Sequence, residues 1–211
     1  MNLALAQATE VKAPYLCFEM AGALLTEDEF DAVTDYDEGY RYELIHGVLV
    51  VHPIPLPEET DPNEELGHWL RTFKLQHPQA SILDATMPQQ YVRTKKSRRL
   101  ADRLLWIGLG RLPKPRVDVA TVAVEFVSAG RRNRERDYEI KQREYLEAGI
   151  REYWIVNRFQ RILTVWRQTP TGPEQQVIPE SEIYRSALLP GFELPLAQLL
   201  AVADCWAANH E

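Results

Sequence analysis

Residues 119–127 read V-A-T-V-A-V-E-F-V, an almost unbroken apolar run with one acid, Glu125, set inside it. Length and composition match a strand buried on both faces. A carboxylate there is costly unless it is paired, hydrogen-bonded or bound to a metal. The chain that follows supplies suitable partners. A basic turn, S-A-G-R-R-N-R-E-R, leads into a helix-like stretch, D-Y-E-I-K-Q-R-E-Y-L-E-A-G, and then into a short apolar strand, E-Y-W-I-V-N. This is a β-α-β unit, for which a right-handed crossover is expected. The helix should run over about 135–148, with Gly149 stopping it as a left-handed cap.

Outward from this unit the signals are those of further strands and a few helices. T-E-D-E at 26–29 has the form of a capping box and predicts a short helix. R-Y-E-L-I-H-G-V-L-V-V-H at 41–52 predicts a strand pair or a bent strand, with Gly47 as its turn or bulge. Residues 53–62 read as a proline-rich loop, and Asn63 as the cap of a helix to about Gln76 with Leu66, Leu70 and Phe73 on one side. Strands are expected near 80–85, 89–93, 100–107 and 161–167, with a turn at 169–173. Two short strands and a helix over about 195–203 complete the chain. Such a mixture predicts an α/β domain with a central mixed β-sheet flanked by helices. Residues 25–211 would form this domain, behind an N-terminal extension of residues 1–24.

The chain of 211 residues can bury a sizeable core. No stretch approaches a transmembrane span, and the N-terminus lacks the basic start and long apolar core of a signal peptide. The two cysteines, Cys17 and Cys205, suggest neither a disulfide framework nor a metal-ligand spacing. A reduced, cytoplasmic setting is expected. The net charge of −7 argues against a general nucleic-acid coat, since backbone affinity comes from clustered Lys and Arg. Locally the balance reverses. R-T-K-K-S-R-R-L-A-D-R at 93–103 and R-R-N-R-E-R at 131–136 lie beside Asp102 and Glu125. Lys95, Lys96, Arg98, Arg99, Arg131, Arg132 and Arg134 are therefore candidate nucleic-acid contacts.

The helix after Glu125 carries a second signal. Tyr138, Lys141, Tyr145 and Ala148 follow 3-4-3 spacing and share one face. Lys141 thus lies in an otherwise core-facing stripe. A lysine so placed usually snorkels its ammonium to water, but here a buried acid precedes it by one loop. Asp102, at the start of A-D-R-L-L-W-I, and Glu43, in R-Y-E-L-I-H-G, are further acids beside apolar strand-like segments. Alone, Asp102 reads as a solvated turn residue and Glu43 as half of a cross-strand ion pair. Acids that converge repel one another unless a divalent cation lies between them. Mg²⁺ typically takes one or two carboxylates together with water and phosphate oxygens, and a lysine supplies a point charge for the phosphate.

The run V-E-F-V-S-A-G-R-R-N-R-E-R-D-Y-E-I-K-Q-R-E-Y-L-E-A-G-I-R-E-Y-W-I-V-N resembles the signature of the Uma-two family of endonucleases, within the restriction-endonuclease-like superfamily with its PD-(D/E)xK type of site. Y-E-L-I-H-G-V-L-V, A-D-R-L-L-W and L-L-P-G-F-E-L extend the likeness over about residues 25–200. The resemblance implies a restriction-endonuclease-like fold and Mg²⁺- or Mn²⁺-dependent hydrolysis of phosphodiester bonds in DNA. It matches Asp102 and Glu125 to the metal-binding acids, Glu43 to a helper acid of the first motif, and Lys141 to a catalytic lysine moved onto the helix. Val127 occupies the usual lysine position. Other departures are Ala101 for a proline, His46 and Asn157 for acids, and Thr121 with Asp118 where a Pro-Asp step is usual. Cutting both strands of a duplex would suit a homodimer. The competing readings are a nucleic-acid-binding protein on a decayed nuclease fold and a partner-binding protein with its acids in plain salt bridges. His52, His68 and His77 have no ligand spacing and read as surface or loop residues. Ser128 has no histidine partner in sequence.

Overall fold

The computed structural model describes residues 15–129 and 136–207. The T-E-D-E segment starts α1 (Glu27–Asp31), and its capping box forms as expected: Thr26 Oγ1 accepts from Glu29 N–H, and Glu29 Oε2 accepts from Thr26 N–H. β1 (Tyr40–Ile45) and β2 (Val48–Pro53) make a tight hairpin. Its two turn residues, His46 (φ 50°) and Gly47 (φ 82°), both lie in the left-handed region that such a turn requires. α2 (Pro57–Gln76) follows, then the hairpin of β3 (Leu83–Arg93) and β4 (Ser97–Ile107). β5 (Val122–Phe126) carries Glu125. A π-helical turn (Arg136–Lys141) runs into α3 (Gln142–Glu147), which leads to β6 (Glu152–Asn157). β7 (Ile162–Thr169), β8 (Gly172–Pro179), the two-residue strands β9 (Ile183–Tyr184) and β10 (Leu194–Pro195), and α4 (Leu196–Ala207) complete the described chain.

Among the described residues the main sheet has eight strands, in the order β2-β1-β4-β5-β6-β7-β8 with β3 on the other edge of β4. β5 and β6 pair in parallel, and the other described pairs of this sheet are antiparallel. The architecture is therefore the expected α/β one with a mixed sheet. Alternation along β5 sends Val122, Val124 and Phe126 to one face, where they meet Leu66 and Leu70 of α2 and Leu196 and Leu199 of α4. Ala123 and Val127 face the other way, toward Tyr145, Ile150, Tyr153 and Ile155. Fully burying a leucine contributes about 1.5–3 kcal/mol, so the apolar faces alone fix the helices on the sheet. Glu125 falls in the second set.

α2 begins at Pro57 and takes in much of the proline-rich stretch 53–62 that the sequence marks as a loop. Proline suits the first helical position, where its fixed φ is pre-organised and its missing N–H is not needed. Burial of Pro62 beside Leu66 and Leu70 keeps the second proline in the helix. Gly67 sits mid-helix for a packing reason. A Cβ there would lie 2.5 Å from Nη2 of Arg103, whose guanidinium lies against the helix. That guanidinium donates to Asn63 Oδ1 and O and to Thr86 Oγ1. β3 is one strand rather than two. Pro88 is tolerated in it because, among the described strands, β3 pairs only with β4 and lies at an edge. Residues 80–82 form a 3₁₀ turn ahead of it. Residues 15–24, read from sequence as part of an extension, pack on the β1–β2 hairpin: Leu16 and Met20 join Phe30, Tyr42, Leu44 and Leu49.

Candidate active site

β4 is longer than the strands on its inner edge, and two of them share that edge. β1 pairs with its first residues, as Ile45 opposite Ser97 and Leu44 opposite Arg98. β5 pairs further along, from Arg103 opposite Val124. Between these registers the ladder is open, and buried backbone N–H groups need other acceptors. Carboxylates provide them. Glu43 Oε1 accepts from Leu100 N–H at 2.8 Å, and Asp102 Oδ2 accepts from Phe126 N–H at 2.8 Å. The gap between β1 and β5 is thus lined by acids for a topological reason.

Glu125 enters the same place from β5, buried at 4 % exposure. Its Oε1 accepts from Lys141 Nζ at 2.8 Å and from the Tyr145 hydroxyl at 2.7 Å. Lys141 is itself only 3 % exposed, and its ammonium also lies 3.9 Å from Glu43 Oε1. The 3-4-3 stripe therefore points inward, as its spacing indicates. The backbone differs in one respect: Lys141 ends a π-helical turn rather than sitting inside a regular α-helix. Such turns are frequent at functional sites because they re-aim one side chain.

The electrostatics follow from burial among charges. Desolvation alone would raise the Glu43 carboxyl. The Lys141 ammonium, the His52 hydrogen bond and the Arg99 charge outweigh it and hold Glu43 at about 2. Burial, then the neighbouring charge of Glu125, pushes the Tyr145 hydroxyl well above its ordinary value, so it stays a hydrogen-bond donor.

Glu43, Asp102, Glu125 and Lys141 line one cleft of about 360 Å³. Three residues that the sequence reading did not single out, or set aside, join them. Arg41 donates to Asp102 Oδ1 at 3.2 Å. His52 Nε2 lies 3.1 Å from Glu43 Oε2. Glu59, from the first turn of α2, shares the cleft, and burial followed by the charge of Asp102 raises its carboxyl. His52 was legible in principle. Once Gly47 is read as a tight turn, the register places Arg41 opposite His52 and Glu43 diagonal to it. Glu59 was hidden by reading residues 53–62 as loop. Ser128 also lines the cleft.

The oxygen-rich donor set suits a hard divalent cation, which takes one or two carboxylates and completes its shell with water and phosphate oxygens. Among the described residues no three Asp, Glu, His or Cys side chains are arranged to hold an ion by themselves. An ion here would be completed by other ligands.

The basic candidates divide. Lys95 and Lys96, on the β3–β4 turn, are exposed. Arg98 is committed to Asp31, with Nε and Nη2 on its carboxylate at 2.9–3.1 Å. Arg99 is 1 % exposed and binds Glu144 with Nε and Nη2 at 2.6 and 3.1 Å. Arg99 is thus a correction: strand alternation turns it inward, where it cannot meet a phosphate backbone. Arg131, Arg132 and Arg134 lie outside the described residues.

The departures from the family pattern also have local explanations. His46 Nε2 lies 3.4 Å from Glu144 Oε1, a position where an acid would be repelled. Asn157 Oδ1 accepts from Phe159 and Gln160 N–H and so forms the turn after β6. Asp118 is held by Arg111 through paired 2.7 Å bonds, and its carboxyl drops to about 2 because of that partner.

A mixed sheet with helices on both faces, and with a buried acid–lysine cluster where two strands part along one edge, defines a protein of the nuclease-like α/β class. The sequence model of the Uma2 family, described as "Putative restriction endonuclease", matches residues 28–197. The chain belongs to that family. No curated protein matches it significantly. Among solved structures it is similar to "a putative nuclease belonging to DUF820" from Anabaena variabilis ATCC 29413. The TM-score is 0.67 at 14 % identity, over 85 % of this chain and 99 % of that one, a likeness of fold. No described helix is long and apolar enough to cross a membrane.

Proposed function

We propose that this protein is a metal-dependent endonuclease that hydrolyses phosphodiester bonds in DNA at the cleft between β1, β4 and β5. The observation that carries this reading is Lys141, an ammonium buried between Glu125 and Glu43 in a cleft with two further acids, Asp102 and Glu59. A stability-driven design would replace such a cluster with apolar side chains, because desolvating charges offsets most of their attraction.

Asp102 and Glu125, assisted by Glu43, would hold Mg²⁺ or Mn²⁺. When bound, the cation supplies charge neutralisation at the phosphate and a more acidic water. The remaining work falls to side chains of the chain itself. Tyr145 fixes the orientation of Glu125 through its hydroxyl. Lys141 offers a compact positive charge to the phosphoryl oxygens as negative charge builds. His52 and Leu100 N–H hold the Glu43 carboxylate in place.

Plasmid DNA incubated with Mg²⁺ or Mn²⁺ should be nicked or cut by wild type and spared in the presence of a chelator. Lys141→Ala should remove most of that activity. A folded wild-type protein that leaves DNA intact with both ions would favour the reading of a nucleic-acid-binding protein on a nuclease fold.

A further inference from the structure

Beside the acidic cleft lies a second groove, of about 380 Å³, and the two share Arg41 and Leu100. Their charges are opposite. The cleft carries Glu43, Glu59, Asp102 and Glu125 against Arg41 and Lys141. The groove is lined by Arg41, Arg93 and Arg116 and by one acid, Asp31, on a chain whose net charge is −7; Arg93 pairs with Asp31 and Arg41 with Asp102, and Arg116 is exposed. Its walls are also aromatic. Tyr36 is 53 % exposed and meets the buried Tyr42 edge-on at 6.1 Å; Tyr40, stacked on Phe18, and Tyr91, edge-on to Phe30, line the same groove. The size falls in the roughly 300–1,000 Å³ range of small-ligand sites.

An exposed aromatic ring in a groove lined by arginines is the chemistry of a stacked, unpaired base with its phosphates. An intact duplex would offer phosphates but no free base face. We infer that this groove binds the unpaired nucleotide next to the scissile phosphate, so that the substrate is single-stranded or locally opened nucleic acid. The inference rests on the nuclease reading for the role of the cleft, but binding in the groove is independent of cleavage. Arg41 connects the two, with Asp102 Oδ1 at 3.2 Å on one side and the groove on the other.

The test is fluorescence anisotropy of full-length protein in chelator, with a short labelled single strand and the same sequence as a blunt duplex. The single strand should bind roughly tenfold tighter than the duplex, and Tyr36→Ala should remove roughly that margin. Tyr36→Phe, which keeps the ring, should bind as wild type. Equal or tighter binding of the duplex, the form that a pair of symmetric clefts would cut, overturns the inference. So does single-strand binding unchanged in Tyr36→Ala. Cleavage assays separate the two readings. Cutting by wild type with unaltered kcat/KM in Tyr36→Ala sinks the groove and leaves the nuclease. Tyr36-dependent binding without cleavage of either form sinks the nuclease and leaves the groove.

Discussion

Two buried glutamates sit on adjacent parallel strands, and they are held in different ways. Glu125, toward the C-terminal end of β5, accepts from Lys141 and Tyr145 and lines the acidic cleft. Glu152 begins β6, at the opposite end of the parallel pair, level with Val122. It is fully buried, and both of its oxygens are engaged: Oε1 by Arg167, Oε2 by Trp154 Nε1, Tyr184 and Ser186. Glu152 therefore ties β6 to β7, β9 and the segment after β9. Glu125 opens onto a cleft with other acids. Burial of an acid in a strand is common to both; the end of the strand separates a carboxylate sealed among its donors from one that lines a cleft, in line with ligands gathering beyond the carboxyl ends of parallel strands.

The largest effect expected is on chemistry. Lys141→Ala should lower cleavage about a hundred- to a thousandfold, or about 3–4 kcal/mol of barrier, with Lys141→Arg rescuing poorly because a planar fork does not replace a point charge. Glu152→Gln should leave the rate per folded molecule unchanged. Turnover of Lys141→Ala equal to wild type at saturating substrate would make Lys141 another structural charge and end the contrast.

Next comes acid. Glu43 falls from the ordinary 4.5 to about 2 in the fold, so its contribution is present above the first value and is lost as pH drops through the second. The size is about 3 kcal/mol. Urea unfolding followed across that window should show the loss in wild type and a flatter profile in Glu43→Gln.

The same substitution then compares the two acids directly. Glu152→Gln should cost about 2–3 kcal/mol of stability, since the amide nitrogen must face donors. Glu125→Gln should cost less, about 1 kcal/mol, because losing this charge also relieves the repulsion among the acids of the cleft. The reverse order of melting temperatures would exchange the roles of the two sites. Smallest and most local is Gly67→Ala, which pushes a methyl into the Arg103 guanidinium and should cost about 1–2 kcal/mol with cleavage retained. A neutral result would show that Arg103 moves freely.

Much of the site was legible because it lies on periodic elements. Period two in β5 sets Glu125 apart from the face of Val122, Val124 and Phe126, and helical spacing puts Lys141 with Tyr145. The capping box at Thr26, the Gly47 hairpin and the β-α-β unit are likewise short-range signals, readable from adjacent residues. Three features were not. Arg98 and Arg99 belong to a charge run, and a run does not show that Asp31 and Glu144, far away in sequence, will take their guanidiniums. Glu59 disappeared into a proline-rich stretch that burial made helical. The open edge of β4, the reason acids gather there at all, depends on the lengths of three strands meeting.

The sequence by itself determined which residues are out of place: an acid in a buried strand and a lysine on a core stripe, both costly alone and therefore in need of each other. Only the tertiary structure decided that Glu125 faces a cleft while Glu152 is sealed by its donors. Local periodicity sets the face on which a side chain emerges. What it meets there is supplied by segments distant in the chain, and their arrival depends on the packing of the whole sheet.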